Sequence, residues 1–195
     1  VPPVEPTDPV DPTEPQPGED EEPEFEIFKL KSPLKVFGGK HPYGVLVEDS
    51  VDKSLSEQFV ANEIAKSGAE IEFSFGAIGA FREEKIKTPK ILIGNMNTRW
   101  TASAREKMGD ANWIISVEEK HIVLVGRADG DVENAMNCLY NALDYYTAHT
   151  GSEEMVLPND FCVTSKDNPG QFDMYRLVRK KSEEYKFPRY VITSY

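Results

Sequence analysis

Apolar residues along this chain fall into short blocks whose spacing switches between about two and about 3.6 residues, the periods of strand and helix. Phe25 to Lys31 (FEIFKLK) alternates apolar and polar positions and reads as an entry strand. Tyr43 to Glu48 (YGVLVE) is an apolar run of strand length. Leu55, Phe59, Ile64 and Ala65 then share one helical face, with Ser54 and Glu57 at capping-box spacing and Gly68 as a left-handed stop. Ala69 to Phe75 alternates as a second strand, residues 75 to 89 form a loop, and Lys90 to Gly94 is a third strand. Asn97 and Thr98 are placed to cap a helix that runs to Met108 and stops at Gly109. Trp113 to Val117 and His121 to Val125 are strands joined by Glu118-Glu119-Lys120, a hairpin-length connection. Asp131 is placed to cap the longest helix, which buries Val132, Met136, Leu139, Tyr140 and Leu143.

The predicted order is β-α-β-β-α-β-β-α. It defines an α+β protein of two-layer α/β build, with a mixed sheet of about four to six strands and about three helices. The hairpin argues against a purely parallel sheet, because parallel neighbours need a crossover between them. About 170 residues after the N-terminal segment suffice for one core.

Several runs occur in an order that resembles a known domain. They are Tyr43-Gly44-Val45-Leu46-Val47, then Lys66-Ser67-Gly68, then Ile91-Leu92-Ile93-Gly94-Asn95 with Asn97-Thr98-Arg99. Trp113-Ile114-Ile115-Ser116-Val117 and His121-Ile122-Val123-Leu124-Val125-Gly126 follow before the long helix. From about residue 43 to 148 the chain resembles the α/β domain ahead of the catalytic barrel in family 20 β-hexosaminidases, with related domains in family 67 α-glucuronidases and family 84 enzymes. The resemblance implies an accessory module whose catalytic carboxylates would sit in a following barrel. Gly151 to Tyr195 is too short for the roughly 250 residues such a barrel takes. The resemblance therefore implies a fold and carbohydrate-active company, without the hydrolase activity itself.

Charge changes the picture at one end only. Residues 1–26 hold ten acids and no Lys or Arg, which leaves 22 basic against 24 acidic side chains in the rest of a chain of formal charge −12. The nearly neutral body argues against nucleic-acid binding through phosphate neutralisation. Val4 to Pro15 is four tripeptides of β-branched residue, acid and proline, and Pro3, Pro6, Pro9, Pro12 and Pro15 keep the threefold period of polyproline II. At about 3.1 Å per residue, residues 1–23 would span roughly 70 Å. The expected organisation is an acidic proline-rich spacer over 1–24, the α/β domain over 25–160, and an extension over 161–195 that reads as the start of a further domain. The spacer's composition, the absence of an initial Met and the lack of a leader suggest a mature, secreted or surface-anchored bacterial protein. No run approaches the length of a transmembrane segment. Arg189 to Tyr195 reads as an interrupted strand.

Candidate chemistry is sparse. Asp129-Gly130-Asp131 with Glu133 has half the oxygens of a calcium loop and lacks the rest, so it reads as a turn and helix cap. His41, His121 and His149 lie far apart with no zinc spacing, and no metal or cofactor is expected. Gly76-Ala77-Ile78-Gly79 and Gly38-Gly39-Lys40 lack the remaining positions of phosphate-binding loops. Glu83-Glu84, Glu118-Glu119 and Glu153-Glu154 are neighbours in sequence, not the opposed carboxylates of glycoside hydrolysis, and read as solvated acids. Cys138 and Cys162 leave a disulfide and two buried thiols both open. The residues best suited to hold a ligand are Asn95, Asn97, Arg99, Trp100, Tyr145 and Tyr146, because a sugar face packs on Trp or Tyr. No residue is nominated as catalytic. The leading expectation is a non-catalytic accessory domain that docks a catalytic partner through an exposed apolar patch. A carbohydrate-binding module and a piece of a larger extracellular hydrolase are the alternatives.

Overall fold

The computed structural model describes residues 29–68 and 70–167, so the acidic segment, Phe25–Phe28 and Arg189–Tyr195 fall outside the described part. In chain order the elements are β1 (Leu34–Phe37), β2 (Gly44–Glu48), α1 (Lys53–Ser67), β3 (Phe73–Gly76), a 3₁₀ turn at Glu83–Lys85 and β4 (Lys90–Ile93). They continue with α2 (Arg99–Met108), β5 (Trp113–Glu118), β6 (His121–Gly126), α3 (Asp129–Thr150), β7 (Met155–Leu157) and β8 (Cys162–Thr164). From β2 to α3 this is the predicted order. Six strands form one mixed sheet, β3-β2-β4-β6-β5-β8, and β1 pairs with β7 in a separate ribbon. The β3-β2-β4-β6 portion is parallel, and β5 is antiparallel to both β6 and β8. The sheet thus extends past residue 160.

Strands β2 and β6 are buried along their whole length, which explains why both read as unbroken apolar runs. Alternate side chains enter two cores. Val45, Val47, Ile91, Ile93, Ile122 and Leu124 pack with Phe59 and Val60 of α1 and with Leu139 and Leu143 of α3. Leu46, Leu92, Ile114, Val123 and Val125 pack with Met96, Trp100 and Ala104 on and before α2. Helices therefore cover both faces of the sheet, with α2 adding a layer to the two expected. Each fully buried Ile or Leu contributes about 1.5–3 kcal/mol of transfer free energy.

The ends of the elements follow local chemistry. Thr98 caps α2 by accepting from Thr101 N–H (3.1 Å), and Gly109 ends it with φ +56°. Gly68 stops α1 at φ +64°, as expected. The β5–β6 connection is a two-residue turn with Glu119 at φ +49° and Lys120 at φ +75°, the twist that suits a tight hairpin.

Three local expectations are corrected. Asp52, not Ser54, caps α1: its Oδ1 accepts from Ser54 N–H (2.8 Å) and Leu55 N–H (3.2 Å), while Glu57 pairs with Lys53 at 3.3 Å. Asp131 lies inside the first turn of α3, where its carboxylate reaches back to Ala128 N–H (3.1 Å). Lys29–Lys31 is irregular and Ser32 turns the chain at φ +54° before Pro33, so among the described residues the first strand starts at Leu34.

Gly94 and Gly68 separate two costs of adding a Cβ. Both have positive φ, but a Cβ at Gly94 would lie 2.9 Å from Glu48 Cβ and 3.0 Å from Val51 Cγ2, whereas none of the described atoms lies within 4 Å at Gly68. Gly68→Ala should cost about 1–2 kcal/mol from backbone strain alone. Gly94→Ala should cost a further ~1–3 kcal/mol from overpacking. Urea unfolding of the two variants checks this, and equal losses would contradict it.

Candidate functional site

The Ile91–Arg99 run starts in the middle of the sheet. Helix α1 carries the chain from β2 to one side, and α2 lies on the route from β4 to the other, so the carboxyl ends of β2 and β4 flank a topological switch point. In open α/β sheets such a crevice is where ligands bind. Here it is closed by the protein's own groups. Gly94, at φ +104°, lets the backbone press against Glu48 and Val51. The Glu48 carboxylate accepts from Ser50 N–H (3.0 Å), Ser50 Oγ and Asn95 N–H (3.4 Å). Burial pushes this carboxyl up, but the Ser50, Asn95 and Asp49 hydrogen bonds outweigh burial and hold it below its ordinary value. The result is an ionised carboxylate whose acceptor positions tie together two loops.

Asn95 accepts at Oδ1 from Arg105 Nε (3.2 Å), Met96 and Thr98 are buried, and Asn97 is exposed. The run wraps the chain over the sheet to start α2, where Arg99 N–H donates to Glu83.

Two acids of the β5–β6 hairpin hold α2 in place. Glu118 was expected to be solvated, yet it is 8% exposed: it accepts from Lys107 Nζ (2.7 Å) and Ser103 Oγ (2.8 Å). Burial raises its pKa, and the hydrogen bonds from Lys107 and Ser103 with the Lys107 charge more than offset this, so the carboxyl sits below its usual value. Glu119 is exposed and accepts from Trp100 Nε1 (3.1 Å) and Arg99 Nη2 (2.7 Å), which lower its pKa. Trp100 is 5% exposed, lies against His121 with ring centroids 4.0 Å apart, and has the Arg99 guanidinium over its ring at 5.2 Å. Its faces are engaged by the fold, so it offers no open platform to a sugar.

Tyr145 and Tyr146 are half-buried on α3, against the core on the opposite face of the sheet from Trp100. Tyr145 stacks on His149 at 4.1 Å, and Tyr146 meets Phe161 edge-on at 5.9 Å. Four of the six nominated residues thus lie within the 95–100 segment, and the other two, on α3, face the core on the other side of the sheet. Cys138 is buried on α3 and Cys162 is exposed on β8, with no disulfide between them; the expectation of two buried thiols fails for Cys162. Among the described residues no three metal-binding side chains cluster.

A groove of about 530 Å³ runs between Pro33–Lys35 and the Val117–Lys120 hairpin, with Tyr43 at its wall. Burial pushes the Tyr43 phenol up to about 12. Glu119 is the acid among the residues lining this groove, so opposed carboxylates are not assembled there. Sequence reasoning missed Glu48, Glu118, Glu119 and His121 as organising residues. The hairpin register, which sets Glu118 opposite His121, was the signal available for three of them.

No family model matches this sequence, and no curated protein matches it. Among solved structures, one titled "Structure of CpGH84D" matches with a TM-score of 0.42 and 16% identity, over 73% of this chain and 24% of that one. The chain spans about a quarter of the length of that structure. What the coordinates themselves define is an α/β domain with a mixed six-stranded sheet.

Replacing Glu118 by Gln removes the charge that Lys107 and Ser103 hold. The loss should be about 1–3 kcal/mol at neutral pH, the scale of a hydrogen bond to a charged group. Because the folded pKa is lowered, this stabilisation is present above the ordinary carboxylate value and disappears as pH falls through the folded one. Chemical denaturation at neutral and strongly acid pH should show the wild-type advantage at the first and not at the second; an advantage independent of pH would contradict the assignment.

Proposed function

We propose that this chain is a non-catalytic accessory domain of a secreted or surface-anchored bacterial protein, acting beside carbohydrate-active machinery. The observation that carries the reading is that Glu48, Glu118 and Glu119, the carboxylates nearest the crevice and the hairpin, each accept hydrogen bonds from the domain's own loops and helix. The ordered runs from Tyr43 to Gly126, with their resemblance to the domain ahead of family 20, 67 and 84 barrels, support the same reading. Residues 1–24 would serve as a stiff anionic spacer, and the chain beyond the β8 edge would lead towards a further domain. No helix among the described residues is long and apolar enough to cross a membrane.

A docking surface on this part would take a different form from the one expected. Among the described residues Ile78 is the large hydrophobic side chain that stands exposed, at 49%, so a broad apolar patch is not present there. Contact with a neighbour through this part would rest mainly on polar and charged groups.

The test is turnover and calorimetry on the purified chain, with chromogenic glycosides and esters and a panel of bacterial and plant glycans. The reading expects hydrolysis at the buffer rate and no saturable heat. Turnover abolished by Glu48→Gln or Glu118→Gln in a folded variant would overturn it in favour of a hydrolase. Saturable glycan binding lost in a folded Trp100→Ala or Tyr146→Ala variant would overturn it in favour of a carbohydrate-binding module.

A further inference from the structure

His121, the first residue of β6, is 6% exposed and lies flat enough on Trp100 to bring the ring centroids within 4.0 Å, tilted by 36°. Its Nδ1 is 3.2 Å from Lys90 N, a backbone donor, so Nδ1 must accept and the ring is neutral with its proton on Nε2. The same Trp100 donates from Nε1 to Glu119, and Arg99 donates to the same carboxylate oxygen. The first turn of α2 is thus fastened to the β5–β6 hairpin by one carboxylate oxygen and one imidazole face. All the partners lie within β4, α2, β5 and β6 or the turn that joins the last two.

We propose that this cluster is a proton-operated latch: a proton from solvent on His121 Nδ1 ejects the Lys90 N–H, loosens the first turn of α2 from the hairpin and uncovers Trp100. Imidazolium has no acceptor, so the start of β4 loses a buried partner at the moment a cation appears under the indole. The charged groups facing it make that cation unwelcome. Lys90 Nζ belongs to β4 and is shared with Glu72 (2.5 Å), and Arg99 belongs to α2 and also lies near Glu83 (3.9 Å). Glu119 is the acid that favours the proton, and it already holds two donors; Glu118, opposite His121 in register, is held by Lys107.

Burial first, and then Arg99 and Lys90, keep the His121 pKa below its ordinary value in spite of Glu119. The closed latch therefore binds the proton less readily than the open one. Closure is complete above the ordinary imidazole range, and opening is favoured as pH falls below it.

The two tryptophans are Trp100 and Trp113, so Trp113→Phe leaves the indole of Trp100 as the sole reporter. Emission and acrylamide quenching would be followed from about pH 8 to about pH 4, across the range where imidazoles titrate, with far-UV circular dichroism in parallel. The latch predicts a red shift and easier quenching while the dichroism stays constant, with a midpoint equal to the His121 ring-proton titration seen by NMR. His121→Asn, which keeps a neutral acceptor, should abolish the transition. Lys90→Gln removes an opposing charge and should move the midpoint to higher pH, which decides the matter if the asparagine variant does not fold. Emission and dichroism changing together, a transition that survives His121→Asn at the same midpoint, or a Lys90→Gln midpoint that does not move would each overturn the proposal.

Discussion

Ile91, Leu92 and Ile93 have no measurable exposure, and the rest of the domain is arranged around that fact. Adjacent side chains on a strand point to opposite faces, so three consecutive buried residues require apolar cover above and below. Helices α1 and α3 provide it on one side, and Met96, Trp100 and Ala104 provide it on the other. Strand β4 also lies between the two directions in which the chain winds, so both halves meet on it. Once the strand is placed there, the segment after it has to turn sharply and descend over the sheet face. Gly94 permits the turn, and Glu48 fills the space a side chain would have taken.

That geometry also sets what fills the crevice at the switch point. A carboxylate at the end of β2, beside a glycine at the end of β4, has the placement of a catalytic or binding acid. Its hydrogen bonds run to Ser50 and Asn95, and the low pKa expresses how well those donors compensate its burial. The same logic recurs at the hairpin, where Glu118 and Glu119 receive Lys107, Ser103, Trp100 and Arg99 from α2. Polar chemistry in this domain joins elements to one another.

Long periodic elements were legible in the sequence. The buried face of α3, the hairpin strands, the Thr98 cap and the glycines after α1 and α2 each follow from spacing and local backbone needs. What escaped were short strands and competing caps. Strands β7 and β8 have three residues each, too few for a period to show, and β1 has four, with its pairing to β7 shifting register between Lys35 and Phe37. Asp52 is the cap because the helix starts at Lys53, which leaves Ser54 inside the first turn, where its own N–H donates to the Asp52 carboxylate. The nominated ligand residues were the least legible part. Trp100, Tyr145 and Tyr146 look alike in sequence, and only the strand order shows that they belong to opposite faces of one sheet.

The central claim is that β4 is the structural keystone joining two cores. Native-state hydrogen exchange of the β4 amides tests it most directly. Exchange of Leu92 and Ile93 should require the full free energy of global unfolding, equal to that of β6 and of buried residues on α3. Opening of β4 at a distinctly lower free energy, with either core still protected, would contradict it.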